Sequence, residues 1–439
     1  MSLSRRQFAT ALAAGALGPA LAGPAAAAVP PDAGPWGSSG AAPGTPSGAA
    51  ADPFSTLAPR TAGIVPIGDA ERAERIEQAR RLMVRHRIDA LLLEPGTSLS
   101  YFTAVRWGLS ERPFCLLLPV RGAPVWICPG FEESRARELT GEAEVRVWQE
   151  HESPYALIAR TLADRGIRRG TLGVEERVRF FIADGVRLAA PQLRLVSATP
   201  VTAGCRMIKS PAELALLQAV NDLTTAAFRA ALPLLREGMA PDEAGALFDA
   251  AHRRLGGTNP WALVLFGEAA AFPHGTTKPR LLREGDVVLM DIGCSLEGYQ
   301  SDVTRTTVFG TPTARQREIW DLERRAQDAA FAVARPGNTC EQVDAAARAV
   351  IEAAGFGPGY AVPGLPHRTG HGIGMDGHEW TNFVRGNRTV LRPGMCFSDE
   401  PTIVLPGEFG VRLEDCLVIT EDGARFFTEQ SPSVERIFP

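Results

Sequence analysis

The sequence lacks the cysteine pairs of a disulfide framework. Its seven cysteines lie far apart, include no CxxC pair and are odd in number. An odd number cannot close as a complete set of disulfides, so the pattern favours folding in a reducing compartment.

Charge of one sign and long apolar runs are also scarce. The formal net charge is −4 over 439 residues, and no basic stripe with interleaved aromatic residues favours binding to nucleic acid. The Ala- and Leu-rich run near the N-terminus is too short and too rich in Gly and Pro to span a bilayer. We therefore expect neither a nucleic-acid partner nor stable insertion into a membrane.

Residues 1–28 combine a basic pair with a weakly apolar run. Arg5 and Arg6 precede Phe8 in SRRQFATALAAGALGPALAGPAAAA, which ends on a small-residue cleavage signature. The segment resembles a twin-arginine export signal, and a disordered Ala-rich terminus is the alternative. Because the twin-arginine route carries folded proteins, export to the periplasm or the exterior agrees with the unpaired cysteines.

The rest of the chain divides by composition and periodicity. Its length predicts about two to three domains. Residues 29–66 are rich in Pro, Gly, Ser and Ala and predict a flexible linker. From 67 to 203, short apolar runs such as ALLLEP alternate with helical stretches such as DAERAERIEQARRLMVRH, which predicts an α/β domain. Residues 204–439 form the second predicted domain.

This second domain contains an internal repeat. REGMAPDEAGALFDAAHRRLGG from Arg236 aligns without gaps with RPGNTCEQVDAAARAVIEAAGF from Arg335. Each copy predicts a turn and a helix, and each follows another long predicted helix, at 212–236 and 313–335. On these helices alone, two generic Ala-rich helices remain an equal alternative.

Acidic residues repeat after those helices. REGDVVLMD matches RPGMCFSDE, which aligns Asp291 with Glu400, and GYQSD matches GVRLE, which aligns Asp302 with Glu414. The first acid of each pair ends a β-rich run and the second begins the next run. The pattern predicts two hairpins whose acids face a shared interior.

Four buried carboxylates would repel one another and lose hydration unless cations neutralised them. Each half also places a histidine beside glycine, His274 in PHG and His371 in GHG. Mainly oxygen donors favour Mn²⁺, with Co²⁺, Fe²⁺ or Zn²⁺ as alternatives. Two ions are expected, because four carboxylates exceed the charge of one divalent ion. Taken singly, each acid also fits a surface or salt-bridging role.

The motifs around these acids resemble a known family. Five short motifs are similar to those of the metallopeptidases that include aminopeptidase P, prolidase and methionine aminopeptidase. They are DIG, SDVTRT, HRTGHGIG, DEP and RLED. The resemblance covers residues from about 206 to 435 and implies an α+β catalytic domain with the internally duplicated pita-bread fold. The α/β domain before it, leading into RMIKSPAE, resembles the creatinase/prolidase N-terminal domain.

The resemblance implies a role for each metal ligand. Asp291 would hold one metal, His371 and Glu400 would hold the other, and Asp302 and Glu414 would bridge both. Glu400 would also accept a proton from the attacking water.

Further residues around the ligands are expected to contact the substrate. The resemblance implies that His274 and His378 hold and protonate the substrate. His367 would contact it at the pocket wall, or would be an ordinary core histidine. The glycines of HRTGHGIGMDGHE would let the backbone approach the metals and the substrate.

Three arginines complete the predicted site. Arg412, two residues before Glu414, would orient the carboxylates at the substrate site. Arg385 and Arg388 lie between His378 and Glu400 and are expected near the pocket mouth. Either could bind the free carboxylate of a substrate, or both could be solvated loop residues.

The implied activity is cleavage of the Xaa-Pro bond of dipeptides or short peptides by a hydroxide that bridges the metals. Thr402 in EPTIV and Cys416 in RLEDC depart from the family patterns EPGIY and RxEDD, so the pocket wall is expected to differ. The alternatives are a hydrolase or lyase of the same fold acting on another small metabolite, and a binding member that lacks catalysis. Binding members typically lose ligands, and all five are present here. We also expect a homodimer.

The export signal gives a first testable prediction. Replacing Arg5 and Arg6 together by Lys should leave a folded protein in the cytoplasm, because the twin-arginine route reads that pair. Immunoblotting of cytoplasmic and exported fractions measures the change, with the same double replacement at Arg80 and Arg81 as the control. Unchanged export of the Arg5/Arg6 variant would contradict the assignment.

Overall fold

A computed structural model describes residues 52–439. The first part of this range folds around a six-stranded mixed sheet with helices on both faces. Its elements are α1 (Asp69–His86), β1 (Ala90–Leu93), α2 (Thr97–Thr103), β2 (Cys115–Pro119), β3 (Val125–Pro129), α3 (Glu133–Thr140), β4 (Glu144–Trp148), α4 (Pro154–Asp164), β5 (Gly170–Val174), α5 (Phe180–Ala189), β6 (Leu193–Ser197) and α6 (Thr199–Arg206).

The sheet has the order β4-β3-β2-β1-β5-β6. β2 is antiparallel to both β1 and β3, whereas the other three pairs, β3-β4, β1-β5 and β5-β6, are parallel. Every residue of β1 is buried, because Leu91 and Leu93 enter the core on one face while Ala90 and Leu92 enter the core on the other. Burial on both faces explains why the strands read as continuous apolar runs.

The predicted domain boundary at 203/204 needs a correction. It falls inside α6, which continues to Arg206. Val201 and Cys205 of α6 are buried in the same core as Met83 of α1, so α6 belongs to the first domain. Gly204 lies inside this helix, where a glycine is tolerated at modest cost. We call residues 67–206 the N-terminal domain.

The second domain combines helix pairs with antiparallel sheets. Its elements are α7 (Pro211–Ala231), α8 (Pro241–Leu255), β7 (Thr258–Phe266), β8 (Val287–Leu296), β9 (Tyr299–Gln300), β10 (Val303–Val308), α9 (Ala314–Val333), α10 (Cys340–Ala353), β11 (Gly370–Gly372), β12 (Glu379–Phe383), β13 (Cys396–Asp399), β14 (Thr402–Leu405), β15 (Phe409–Arg412), β16 (Asp415–Ile419) and β17 (Ala424–Phe426).

The duplication is visible in the packing of this domain. β10, β8 and β7 pair in that order with β9 beside β8, and α7 and α8 share a core with this sheet. The second sheet has the order β12-β11-β13-β16-β17, and α9 and α10 share a core with it. β14 and β15 form a separate hairpin. The predicted helix 212–236 ends earlier, at Ala231, where a 3₁₀ turn that contains Pro233 follows.

Part of the predicted flexible linker is docked on the second domain. Residues 52–66 contain no helix or strand, but Phe54 is 4% exposed in the core of α7 and α8, and Leu57 packs against that core. The backbone N–H of Arg60 also donates to the carbonyl of Leu255 at 2.8 Å. The Pro- and Gly-rich composition of the segment hid these apolar contacts.

The predicted export signal and the first part of the linker lie outside the described residues. Within residues 52–439, no helix combines the length and the apolar character needed to cross a membrane.

The docked segment predicts a stability effect. Phe54→Ala should lower the free energy of unfolding by about 3 kcal/mol, because it removes a buried aromatic side chain and leaves a cavity. Val65→Ala in the same segment is the control, since Val65 is 75% exposed and should change stability by less than about 0.5 kcal/mol. Equal melting temperatures for the two variants would show that Phe54 is not held in this core.

Candidate metal centre

Four acidic side chains reach the centre of the second domain from two antiparallel strand pairs. Asp291 lies on β8, opposite Thr304 of β10, and Asp302 directly precedes β10. Glu400 directly follows β13, and Glu414 directly precedes β16. Asp291 lies within its strand rather than at its end, because the buried residues after it extend β8 to Leu296.

The predicted ligands form overlapping groups of donor atoms. Within each group the donor atoms lie within 4.8 Å of one another, and the groups are Asp291, Asp302 and Glu414; His371, Glu400 and Glu414; and Asp302, His371 and His378. The structure therefore brings all five predicted ligands together. It also adds His378 to their surroundings.

His371 is held in one tautomer by its own strand. Its Nδ1 lies 3.0 Å from the carbonyl of Gly372, which can only accept, so Nδ1 carries the proton. Nε2 faces Glu400 Oε1 at 3.1 Å and Asp302 Oδ2 at 3.5 Å. This nitrogen and the two carboxylate oxygens need a cation between them, which is either a proton on Nε2 or a metal ion that takes its place.

Ser398 links His371 to Glu400. The Ser398 hydroxyl accepts from the backbone N–H of His371 at 3.0 Å and donates to Glu400 Oε1 at 3.1 Å. This contact fixes the orientation of the Glu400 carboxylate relative to the imidazole.

Arg412 connects the two halves of the site. Its guanidinium donates to Asp291 Oδ2, and its Nε donates to the Thr304 hydroxyl at 3.0 Å. Thr304 in turn donates to Glu414 Oε2 at 2.7 Å. Arg412 is 3% exposed, so it orients two carboxylates from a buried position.

Burial dominates the charge states of the acids. It raises the pKa of Asp302 and Glu414 well above the usual values, and neighbouring carboxylates raise both further. Burial also raises the pKa of Asp291, against the charge of Arg412. For Glu400, burial acts in the same direction, but the contact with His371 outweighs it and its pKa falls below the usual value.

The site fits divalent cations. Asp291 Oδ1 and Glu414 Oε1 are buried and have no hydrogen-bond partner within residues 52–439. Buried oxygens without partners are costly in a folded protein, and a cation would satisfy them. Carboxylate oxygens with one imidazole nitrogen are a donor set suited to Mn²⁺ and related ions.

His378 lies beside the ligands and contacts an arginine that sequence analysis missed. Its ring centroid is 3.9 Å from that of His371. Arg368 Nη2 donates to His378 Nδ1 at 3.0 Å, and since a guanidinium can only donate, the proton of His378 is on Nε2. Burial and the nearby His371 and Arg368 lower the pKa of His378 to about 4. The position of Arg368 between His367 and His371 was the available signal.

The two other predicted histidines lie near His378. His367 uses both ring nitrogens, at 2.7 Å from the Arg368 carbonyl and at 3.0 Å from the Thr402 hydroxyl. Burial lowers its pKa. His274 follows the 3₁₀ helix Gly267–Ala271 and interacts electrostatically with both His367 and His378, so it lies near them.

The predicted substrate arginines lie further out. The Arg385 guanidinium is 5.6 Å from the centroid of the Tyr360 ring. Arg388 is 86% exposed at its side chain, and its Nε lies 3.6 Å from Glu341 Oε1. None of the contacts described for these two arginines reaches a predicted ligand, so binding of a substrate carboxylate by either stays a prediction.

Two glycines of the histidine motif lie against neighbouring strands. A Cβ on Gly370 would lie 2.1 Å from the Ser398 carbonyl oxygen, and one on Gly372 would lie 2.6 Å from that of Glu379. Both glycines therefore permit close packing of β11 between β12 and β13, and an approach of the backbone to the metals and the substrate stays a prediction.

The overlapping groups predict unequal effects of two conservative changes. Asp302→Asn should lose more bound metal than Asp291→Asn, because Asp302 belongs to two of the three groups and Asp291 to one. Elemental analysis of the purified variants measures this, with the exposed Glu408→Gln as the control. Full metal content in Asp302→Asn would contradict its assignment as a ligand.

Comparisons with known proteins agree with this geometry. The Xaa-Pro dipeptidase of Lactobacillus helveticus is 33% identical over 354 residues, which cover 80% of this chain and 95% of that protein. The putative dipeptidase YkvY of Bacillus subtilis is 33% identical over 343 residues, which cover 77% of this chain and 93% of that protein.

Solved structures give the same result. Dipeptidase PepE from Mycobacterium ulcerans superposes with a TM-score of 0.79 at 32% identity, over 85% of this chain and all of that one (100%). Recombinant prolidase from Thermococcus sibiricus superposes with a TM-score of 0.75 at 29% identity, over 82% of this chain and 97% of that one.

Family matches divide the chain in the same way as the fold. Residues 75–208 match the creatinase/prolidase N-terminal domain, and residues 215–421 match metallopeptidase family M24. The predicted family and fold class are thus confirmed: the chain belongs to metallopeptidase family M24 and carries a creatinase/prolidase N-terminal domain ahead of its pita-bread catalytic domain.

Proposed function

We propose that this metallopeptidase is a dinuclear-metal hydrolase that cleaves the Xaa-Pro bond of dipeptides. The observation that carries the proposal is the set of five donors in overlapping groups, with two buried carboxylate oxygens that lack partners within the described residues. The names of the relatives support the substrate class, since they include Xaa-Pro dipeptidases and prolidases. The complete donor set argues against a binding member that lacks catalysis.

The donors divide between two proposed ions. Asp291 would hold one, His371 and Glu400 would hold the other, and Asp302 and Glu414 would contact both. When bound, two divalent ions, with Mn²⁺ as the first candidate, supply a water-derived nucleophile at neutral pH and stabilise negative charge on the substrate.

The chain itself supplies the groups that hold and move protons. Glu400 is an ionised carboxylate fixed by Ser398, so it is placed to accept a proton. Cleavage before proline expels a secondary amine, which leaves only after its nitrogen is protonated, and the proton that Glu400 accepts from the attacking water is available for that transfer. His378 presents an Nε2–H on the side opposite Arg368, and this proton can bond to the substrate. His274 faces the same space as a second contact.

Preference for dipeptides needs a group that recognises a free carboxylate. Arg385 is the candidate, because it is exposed and rests beside the exposed Tyr360 rather than in an ion pair among the described contacts. A charge-assisted hydrogen bond to a carboxylate contributes about 1.5–3 kcal/mol, which corresponds to roughly one to two powers of ten in selectivity.

Two further expectations accompany the proposal. We propose export by the twin-arginine route, on the basis of Arg5 and Arg6. We also propose a homodimer, which light scattering of the purified protein tests.

A three-substrate panel tests the proposal. The panel measures kcat/KM for Ala-Pro, Ala-Pro-Ala and C-terminally amidated Ala-Pro. We expect kcat/KM for Ala-Pro to exceed that for its amide by at least about tenfold, because the amide lacks the charged carboxylate. In Arg385→Ala this preference should vanish, whereas Arg388→Ala, the matched neighbour, should keep it.

Other outcomes separate the alternatives. Indifference to the amide with good cleavage of Ala-Pro-Ala would contradict a dipeptidase and favour an aminopeptidase P activity. No cleavage of any of the three by metal-loaded protein would reject Xaa-Pro hydrolysis and direct the search to other small amides.

A further inference from the structure

The turn that carries His378 also carries two anchoring carboxylates. Residues 373–378 connect β11 to β12, and His378 is flanked by Asp376 within this turn and by Glu379, the first residue of β12. Neither acid belongs to the groups of candidate metal ligands described above. Their partners lie outside the catalytic sheets.

Asp376 is held by the N-terminal domain. Its Oδ1 accepts from the Thr97 hydroxyl at 2.6 Å, and its Oδ2 accepts from Arg206 Nη2 at 2.6 Å. Arg177 Nη1 lies 3.2 Å from Oδ1. Burial alone would raise the pKa of Asp376, but Arg206 and Arg177 outweigh it and the pKa falls below the usual value. The carboxylate is therefore ionised and fully bonded.

Glu379, on the other side of His378, shares the same arginine. Arg206 Nη2 also donates to Glu379 Oε2, and Lys209 Nζ, between α6 and α7, donates to Oε1 at 2.5 Å. The next residue, Trp380, donates from its indole N–H to Glu176 of the N-terminal domain at 2.7 Å. The chain on both sides of His378 is thus fixed from outside the catalytic sheets.

The central member of this network is rigid. The side chains of Arg206 and Glu379 are 7% and 6% exposed, so their ion pair is sheltered from solvent. Arg206 is the last residue of α6, a helix packed in the core of the N-terminal domain. Arg206 Nη2 contacts both carboxylates, and Nη1 lies 3.5 Å from the Ser98 hydroxyl, so the planar guanidinium is held in one orientation that a flexible ammonium group would not keep.

We infer that Arg206 is a positioning residue for His378, through which the N-terminal domain sets the place of this hydrogen-bond donor relative to the candidate metal ligands. The inference rests on the proposed function only in giving His378 the role of a hydrogen-bond donor to the substrate. Arg206 itself touches neither substrate nor metal ligands in any described contact. It acts through the two carboxylates that flank the histidine.

A comparable ion pair between the domains provides the control. Arg75 of α1 is 6% exposed, lies 3.3 Å from Glu213 of α7, and donates to the Tyr299 hydroxyl at 2.9 Å. It has no described contact with residues 374–379. Arg75→Lys therefore disturbs a buried contact between the domains without changing the anchors of His378.

The test is a double-mutant cycle measured on Ala-Pro. Arg206→Lys keeps the positive charge but replaces the oriented planar guanidinium by a shorter and more flexible ammonium side chain, and should lower kcat/KM about tenfold, since small misplacements of reacting groups cost on the order of ten- to a hundredfold. In a His378→Ala background the same change should cost less than about twofold, because its effect passes through the missing imidazole. Arg75→Lys should cost less than about twofold in both backgrounds.

Two kinetic outcomes would overturn the inference. Equal losses from Arg206→Lys with and without His378 would assign Arg206 a general structural role. No loss from Arg206→Lys in the wild-type background would remove the positioning role altogether.

Hydrogen–deuterium exchange keeps the inference testable apart from the proposed function. If the wild-type enzyme cleaves no Xaa-Pro peptide, the proposed function fails, and exchange alone decides whether Arg206 fixes the turn. Faster exchange in Arg206→Lys confined to residues 374–380, and absent in Arg75→Lys, supports the positioning role. Unchanged exchange there, or faster exchange throughout both domains, overturns it.

Discussion

The mutual repulsion of four buried carboxylates is the constraint on which the catalytic domain depends. Arg412 is the nearby guanidinium that contacts one of them directly and another through Thr304. One positive charge cannot balance four acids, so the arrangement is stable with ionised carboxylates only when cations are bound. Folding and metal binding are therefore expected to be linked, because metal ligands must be deprotonated to bind.

The duplicated strand pairs make such a centre geometrically possible. Asp291 lies in a strand, and the other three acids lie one residue from a strand end, so hydrogen-bonded backbone fixes their positions. Short contacts then fix the side chains, with Ser398 bonded to Glu400 and Thr304 bonded to Glu414. Sites on regular elements hold their geometry more closely than sites on loops, and the supporting hydrogen bonds complete that control.

Sequence patterns predicted the parts of the structure that repeat. Asp291 and Glu400, and then Asp302 and Glu414, were found because the short runs that carry them recur in the same order in both halves. Contacts that depend on tertiary packing have no such signal. The contact of Arg368 with His378 and the burial of Phe54, which lies in a Pro- and Gly-rich segment, were missed because only the folded chain shows which surface each one meets.

Thr402, where the family pattern has glycine, bears on whether His367 or His378 has an N–H to offer a substrate. Where relatives commonly have glycine, this chain has a hydroxyl 3.0 Å from His367 Nε2, while His367 Nδ1 bonds to the Arg368 carbonyl. A carbonyl can only accept, so Nδ1 carries the proton and Nε2 accepts from Thr402. His367 then has no proton to offer a substrate while both bonds hold. Arg368 leaves the opposite nitrogen of His378 protonated, so of these two histidines it is His378 that can donate a hydrogen bond to the substrate.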